Sequence, residues 1–145
     1  MIINKESLKK YTSDEAVLAN LEKFTKRGKF QEVGDFIKTH KELPEAHFLN
    51  ERVGSDTTPF LIVHETKTQI KAMRIEAFAI SGTAEMDDIK YVYMVDVDFY
   101  EEQKASKFQD CTMIRKNLDG TLKTRNKWIH FYKCDIPFYF RCAEF

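Results

Sequence analysis

Glycine is scarce in this chain, with five in 145 residues. Both common phosphate cradles, the dinucleotide fingerprint and the P-loop, need closely spaced glycines so that backbone N–H groups can approach a phosphate. Neither can be assembled here. Long apolar runs are missing as well: none approaches the roughly 20 residues that a membrane-spanning helix needs. The opening Met1-Ile2-Ile3-Asn4-Lys5-Glu6 has no apolar signal-peptide core. A cytoplasmic protein without membrane contact is the expectation. Cysteine is few and odd in number, and Cys111, Cys134 and Cys142 show no Cys-x-x-Cys spacing. That speaks against a disulfide framework or a zinc knuckle and for reduced, buried thiols. Net charge is absent too, formally zero with a sequence pI near 6.9, far from the basic balance of a dedicated nucleic-acid module.

The chain does hold bulk and sorted charge. Twelve Phe and six Tyr supply core material, while 32% charged residues supply a solvated exterior, so disorder is excluded. At this length about two-thirds of the unfolded surface can be buried, enough for one domain over residues 1–145. Between residues 76 and 102, Glu76, Glu85, Asp87, Asp88, Asp96, Asp98, Glu101 and Glu102 face a single Lys90, a local balance of −7. Residues 103–133 reverse it. Lys104, Lys107, Arg115, Lys116, Lys123, Arg125, Lys127 and Lys133 stand against Asp110 and Asp119, a balance of +6. Such a dipole steers a charged partner even at zero total charge, unless the two segments are neighbouring strands that neutralise one another.

Periodicity divides the chain into a helical part (1–42), a connector (43–58) and a mostly β part (59–145). Thr12 or Ser13 caps a first helix carrying Val17, Leu18, Leu21 and Phe24 on one face, with Gly28 as its stop. A second helix spans about Phe30 to His40, weakened by Gly34. Pro44 breaks its continuation, and Asn50, Gly54, Ser55 and Asp56 mark the connector. From Pro59 the period becomes that of strands: Phe60-Leu61-Ile62-Val63, then about Ile89–Tyr100, Phe108–Lys116 and Thr121–Lys133, while Gln69–Ile80 fits a strand face through Lys71, Met73, Ile75, Ala77 and Ala79 and also a helix through Ile70, Met73, Ala77 and Ile80, the strand being favoured by the β-rich segment that follows. Asp119-Gly120 is the strongest hairpin signal, and Phe138–Cys142 adds a short edge strand after Pro137. The implied class is α+β, with N-terminal helices packed on a meandering antiparallel sheet of about five strands.

Three groups of residues bear chemistry. On a strand, Asp96 and Asp98 project from one face, where they form either part of the acidic pole or half of a metal site. Asp56 followed by Phe60-Leu61-Ile62-Val63-His64-Glu65-Thr66-Lys67 resembles the PD-(D/E)xK metal-dependent nucleases, although the Pro before the first acid is absent and the spacing is short. The resemblance implies that Asp56 and Glu65 hold a metal and that Lys67 stabilises developing charge. His64-Glu65-Thr66 is also similar to one element of the two-histidine phosphodiesterases, but His130-Phe131-Tyr132 lacks the second hydroxyl such enzymes need. The third group is the basic hairpin, Arg115, Lys116, Lys123, Arg125 and Lys127, next to Trp128, Phe131 and Tyr132, a composition that grips phosphates and stacks on bases.

No catalytic signature and no cofactor motif emerges. The leading expectation is a non-enzymatic binding protein of the phage or viral accessory kind, an inhibitor of a host protein. It would act through Asp87 and Asp88 on the acidic side or through the basic hairpin. A protein partner is expected, nucleic acid is the other partner of the 115–127 hairpin, and the aromatic C-terminus offers a homo-oligomer contact. The alternative is the nuclease reading.

Overall fold

The computed structural model describes residues 2–80, 90–124 and 127–141. Its elements are α1 (Lys5–Leu8), α2 (Glu15–Thr25), β1 (Phe30–Glu32), α3 (Val33–Thr39), β2 (Phe48–Val53), β3 (Asp56–Glu65), β4 (Gln69–Arg74), β5 (Glu76–Ala79), β6 (Tyr91–Asp96), α4 (Val97–Ala105), β7 (Thr112–Arg115) and β8 (Ile129–Cys134). The strands form two antiparallel sheets, one ordered β1-β6-β5 and one ordered β7-β4-β3-β2-β8. The fold class is α+β, with a five-stranded sheet as expected. The meander is confined to β2-β3-β4, and β7 and β8 sit on opposite edges instead of pairing.

Several boundaries differ from the periodicity, each for a local reason. Asp14, not Thr12 or Ser13, caps α2, its carboxylate accepting from Ala16 N and Val17 N. Phe30–Glu32 is a strand paired with β6, and the helix starts only at Val33. Glu32 caps that helix by accepting from Gly34 N and Asp35 N. A Cβ at position 34 would come within 3.0 Å of the Glu32 carboxylate, so the glycine makes room for the cap. The strand read through to Tyr100 stops at Asp96, which accepts from Phe99 N at 3.0 Å and turns Val97–Ala105 into α4. The connector contains β2 and the start of β3. They join through Gly54-Ser55, with Val53 opposite Asp56 and Gly54 at φ +61°. A glycine with positive φ opening a two-residue loop is the hairpin geometry that matches strand twist. Gln69–Ile80 is extended as expected, but it serves both sheets: β4 in the larger, β5 in the smaller, with buried Ile75 between them.

Three hydrophobic clusters set the layers. The first has α1 and α2 against one face of the small sheet, through Leu8, Leu21, Phe30, Val92 and Met94. The second lies between that sheet, α3, α4 and the outer face of the large sheet, through Phe36, Phe48, Leu61, Val63, Met73, Val95 and Tyr100. The third fills the inner face of the large sheet with Leu49, Phe60, Ile62, Ile70, Ala72, Ile114 and Phe131. Five flat strands would hold Ile114 and Phe131 about 19 Å apart. Curling brings both edges toward one cluster.

Leu61 is fully buried between the layers, whereas Leu118 at the tip of the β7 hairpin is fully exposed. Leu61→Ala should therefore destabilise by about 2–5 kcal/mol and Leu118→Ala by less than about 0.5 kcal/mol, measured by urea unfolding.

Candidate functional site

Structure separates the residues of the nuclease resemblance. Asp56 and Glu65 stand at opposite ends of the ten-residue β3, roughly 25–30 Å apart at strand rise, and Lys67 lies exposed in the turn that follows. The two carboxylates are not brought to one cavity. Among the described residues, no group of three or more His, Cys, Asp or Glu side chains is placed to hold a metal ion. Asp96 and Asp98 do not share a strand face either: the first caps α4 and the second lies in its first turn. Asp87, Asp88 and Arg125 lie outside the described residues.

Glu65 is a clasp. The register of β3 against β4 shifts between Ile62 and His64, so a bulge at Val63 puts Glu65 opposite Ile70, on the inner face with Ile62 and Ala72. Without it, strand alternation would turn the carboxylate to the helix-covered face. On the inner face it meets the lysines of both edges: Lys116, just past β7, donates to Oε2 at 2.6 Å, and Lys133 of β8 donates to the same oxygen. Lys116 also donates to Thr66 O at 2.7 Å. Burial pushes the Glu65 carboxyl up, but the bonds and charges of the two lysines outweigh it and hold the group below the usual carboxylate range.

The basic hairpin is real but short. Lys116 bridges to Leu122, Asn117 N donates to Thr121 O at 2.7 Å, and Asp119 accepts from Thr121 N and its hydroxyl. Beyond Lys123 the chain crosses to the opposite edge of the sheet. The four described basic residues are thus not one patch: Arg115 and Lys123 stay at the β7 edge, Lys116 engages Glu65, and Lys127, in the turn before β8, has its ammonium 5.1 Å from the Trp128 ring centroid. Among the described residues the acidic and basic segments do not neutralise one another across a sheet, since β5 and β6 lie in the small sheet and β7 and β8 in the large one. Their ion pairs reach elsewhere, Glu101 to His40 and Lys104 to Glu42.

What the hairpin loses, the β2–β8 face gains. Helices cover only one end of the outer face of the large sheet. At the other end Arg52 of β2 lies between Thr57 of β3 and His130 of β8 in register, beside Tyr132. The C-terminal segment flanks them: Phe140 and Thr57 exchange backbone bonds of 3.0 Å, where β4 has left the sheet, and Arg141 donates to Thr57 O and Thr58 Oγ1. Tyr139 N donates to the Tyr93 hydroxyl at 3.0 Å, tying the segment to the small sheet. A trough with two lobes results. One, about 380 Å³, is lined by Arg52, Ser55, Thr57, Tyr132, Phe138 and Phe140. The other, about 450 Å³, is lined by Arg52, Gly54, Lys127, Trp128, His130 and Tyr132. Trp128 is 67% exposed and Phe138 49%. Arg52, which joins the lobes, was hidden in the connector. The Gly54-Ser55 loop was the signal that could have revealed it.

No known protein family, curated protein or solved structure matches the chain.

The clasp makes acid stability depend on Glu65. Its folded pKa lies below the unfolded value near 4.5, so its contribution is present above that pH and is lost as pH falls through the folded pKa. Glu65→Gln should cost about 1–3 kcal/mol at neutral pH and less at pH 3, seen as a flatter acid limb when Tm is followed against pH.

Proposed function

We propose that this protein acts by binding, that its contact face is the trough on β2, β8 and the C-terminal segment, and that its partner is anionic there. The observation that supports this reading is the lining: Arg52, Lys127 and His130 stand with Trp128, Tyr132, Phe138 and Phe140, and among the described residues no carboxylate lines it. Large aromatic and arginine side chains carry most of the binding energy of interfaces, and a soluble protein does not expose them in a contiguous patch without use. Among the described residues β8 pairs only with β2, so its outer edge can add backbone bonds to an extended partner. A small protein that occupies an anionic partner in this way would act as its inhibitor, the role that size and sorted charge suggest.

The test is affinity capture at low and high salt with three proteins: the natural chain, the double reversal Arg52→Glu/Lys127→Glu, and Glu101→Lys/Glu102→Lys on α4. We expect a stoichiometric partner that high salt weakens, that the trough variant loses and that the α4 variant keeps. A partner lost from the α4 variant and kept by the trough variant would move the contact to the acidic helix and overturn the reading.

A further inference from the structure

The chemistry of the trough narrows the anion. Four aromatic residues accompany two permanent cations, a ratio that suits flat groups with some charge better than a dense polyanion. Phe138 and Phe140 both line the first lobe with ring planes 7° apart and centroids 6.4 Å apart, two nearly parallel aromatic surfaces. In the second lobe Trp128 is largely exposed and Lys127 lies against its ring, where a stacked group with an adjacent negative charge would meet both. Arg52 sits where the lobes meet. Its Nε donates to Gly54 O at 3.0 Å, which fixes the guanidinium, and among the described residues its two terminal nitrogens make no hydrogen bond.

Hydrogen-bonding capacity is present as well. Ser55 and Thr57 contribute to the first lobe.

We propose that the trough takes a short stretch of single-stranded nucleic acid, its bases stacked on Trp128, Tyr132 and the Phe138–Phe140 pair and its phosphates held by Arg52 and Lys127. The inference rests on the reading of the trough as an anion-binding face and adds the class of ligand. An acidic protein segment would use the cations but leave the ring faces without planar partners. A duplex keeps its base faces inside and would use only its phosphates.

Trp128 is the single tryptophan of the chain, so stacking on it is read directly as fluorescence quenching. The probes are oligo(dT) of about eight nucleotides, a blunt duplex of similar length, and a glutamate-rich peptide of matched charge. We expect saturable quenching by the single strand. With two phosphates held, raising monovalent salt from about 50 to about 200 mM should weaken binding about sevenfold, and Arg52→Ala should halve the logarithmic salt slope. Tyr132→Ala should weaken binding on the order of tenfold at unchanged circular dichroism. Equal binding of the duplex would overturn the inference by showing a phosphate patch without stacking. Binding of the peptide with no response to oligo(dT) would also overturn it, while the anionic-partner reading would stand. If none of the three anions binds, both fall.

Discussion

From Thr57 to Val63 every residue of strand β3 is buried, and the rest of the structure follows from that constraint. Phe60 and Ile62 point to one side, Leu61 and Val63 to the other, and all four are buried. Such a strand needs two covers. Its outer side is met by α3, α4 and the small sheet, whose apolar faces require a partner in turn. Among the described residues no helix covers the inner side, and the sheet covers it with itself: β7 and β8 bend inward until Ile114 and Phe131 join the cluster around Ile62. Burying that surface favours the curl at about 25 cal/mol per Å² of apolar area. Non-directional attraction does not say how far the edges should close, and the Glu65 clasp does. One carboxylate oxygen receives a lysine from each edge, and it faces inward only because the bulge at Val63 shifts the alternation by one residue.

The trough is the place where this covering stops. Neither α3 nor α4 reaches the far end of β2 and β3, and β4 leaves the sheet at Ile75 to build the small sheet. The vacated backbone of β3 is met by Phe140 through Thr57, and Arg141 caps the neighbouring polar groups. Only a narrow segment lies there, so Arg52, His130 and Tyr132 retain open space beside it. Arg52, Thr57, His130 and Tyr132 thereby stand on strands, which holds their spacing better than a loop would.

Much of the class was legible, and the misses share one cause. The apolar run Phe60–Val63 and the β-rich Tyr91–Val95 marked strands on their own, because burial on both faces leaves a continuous hydrophobic signature. What local pattern could not show was which strand meets which. The Asp119-Gly120 turn was read as joining two paired strands, yet its ladder ends at Lys123 and β8 pairs across the sheet with β2. Strand propensity in Val97-Asp98-Phe99-Tyr100 gave way to a helix once Asp96 could cap it. For the candidate site the aromatic and basic residues of 127–140 stood out in the chain. Arg52 did not, since its importance comes from register opposite Thr57 and His130 and not from its sequence neighbours.

Zero net charge does not oppose an anion-binding face, because binding responds to local potential. The acids that balance the chain are spent elsewhere. Glu65 neutralises lysines on the inner face, Glu42 is held by Lys104 and Tyr100 near α4, and Asp14, Glu32 and Asp96 cap helices. Each is fixed by a partner, while no carboxylate among the described residues lines the trough. In the proposed reading, segregation does by placement what a high isoelectric point does by number: it favours positive charge at one face. The field is short-ranged in physiological salt, with a Debye length of about 8 Å, comparable to one lobe of the trough. Charge at this scale orients and holds a ligand already at the surface, and the exposed rings must then supply most of the affinity.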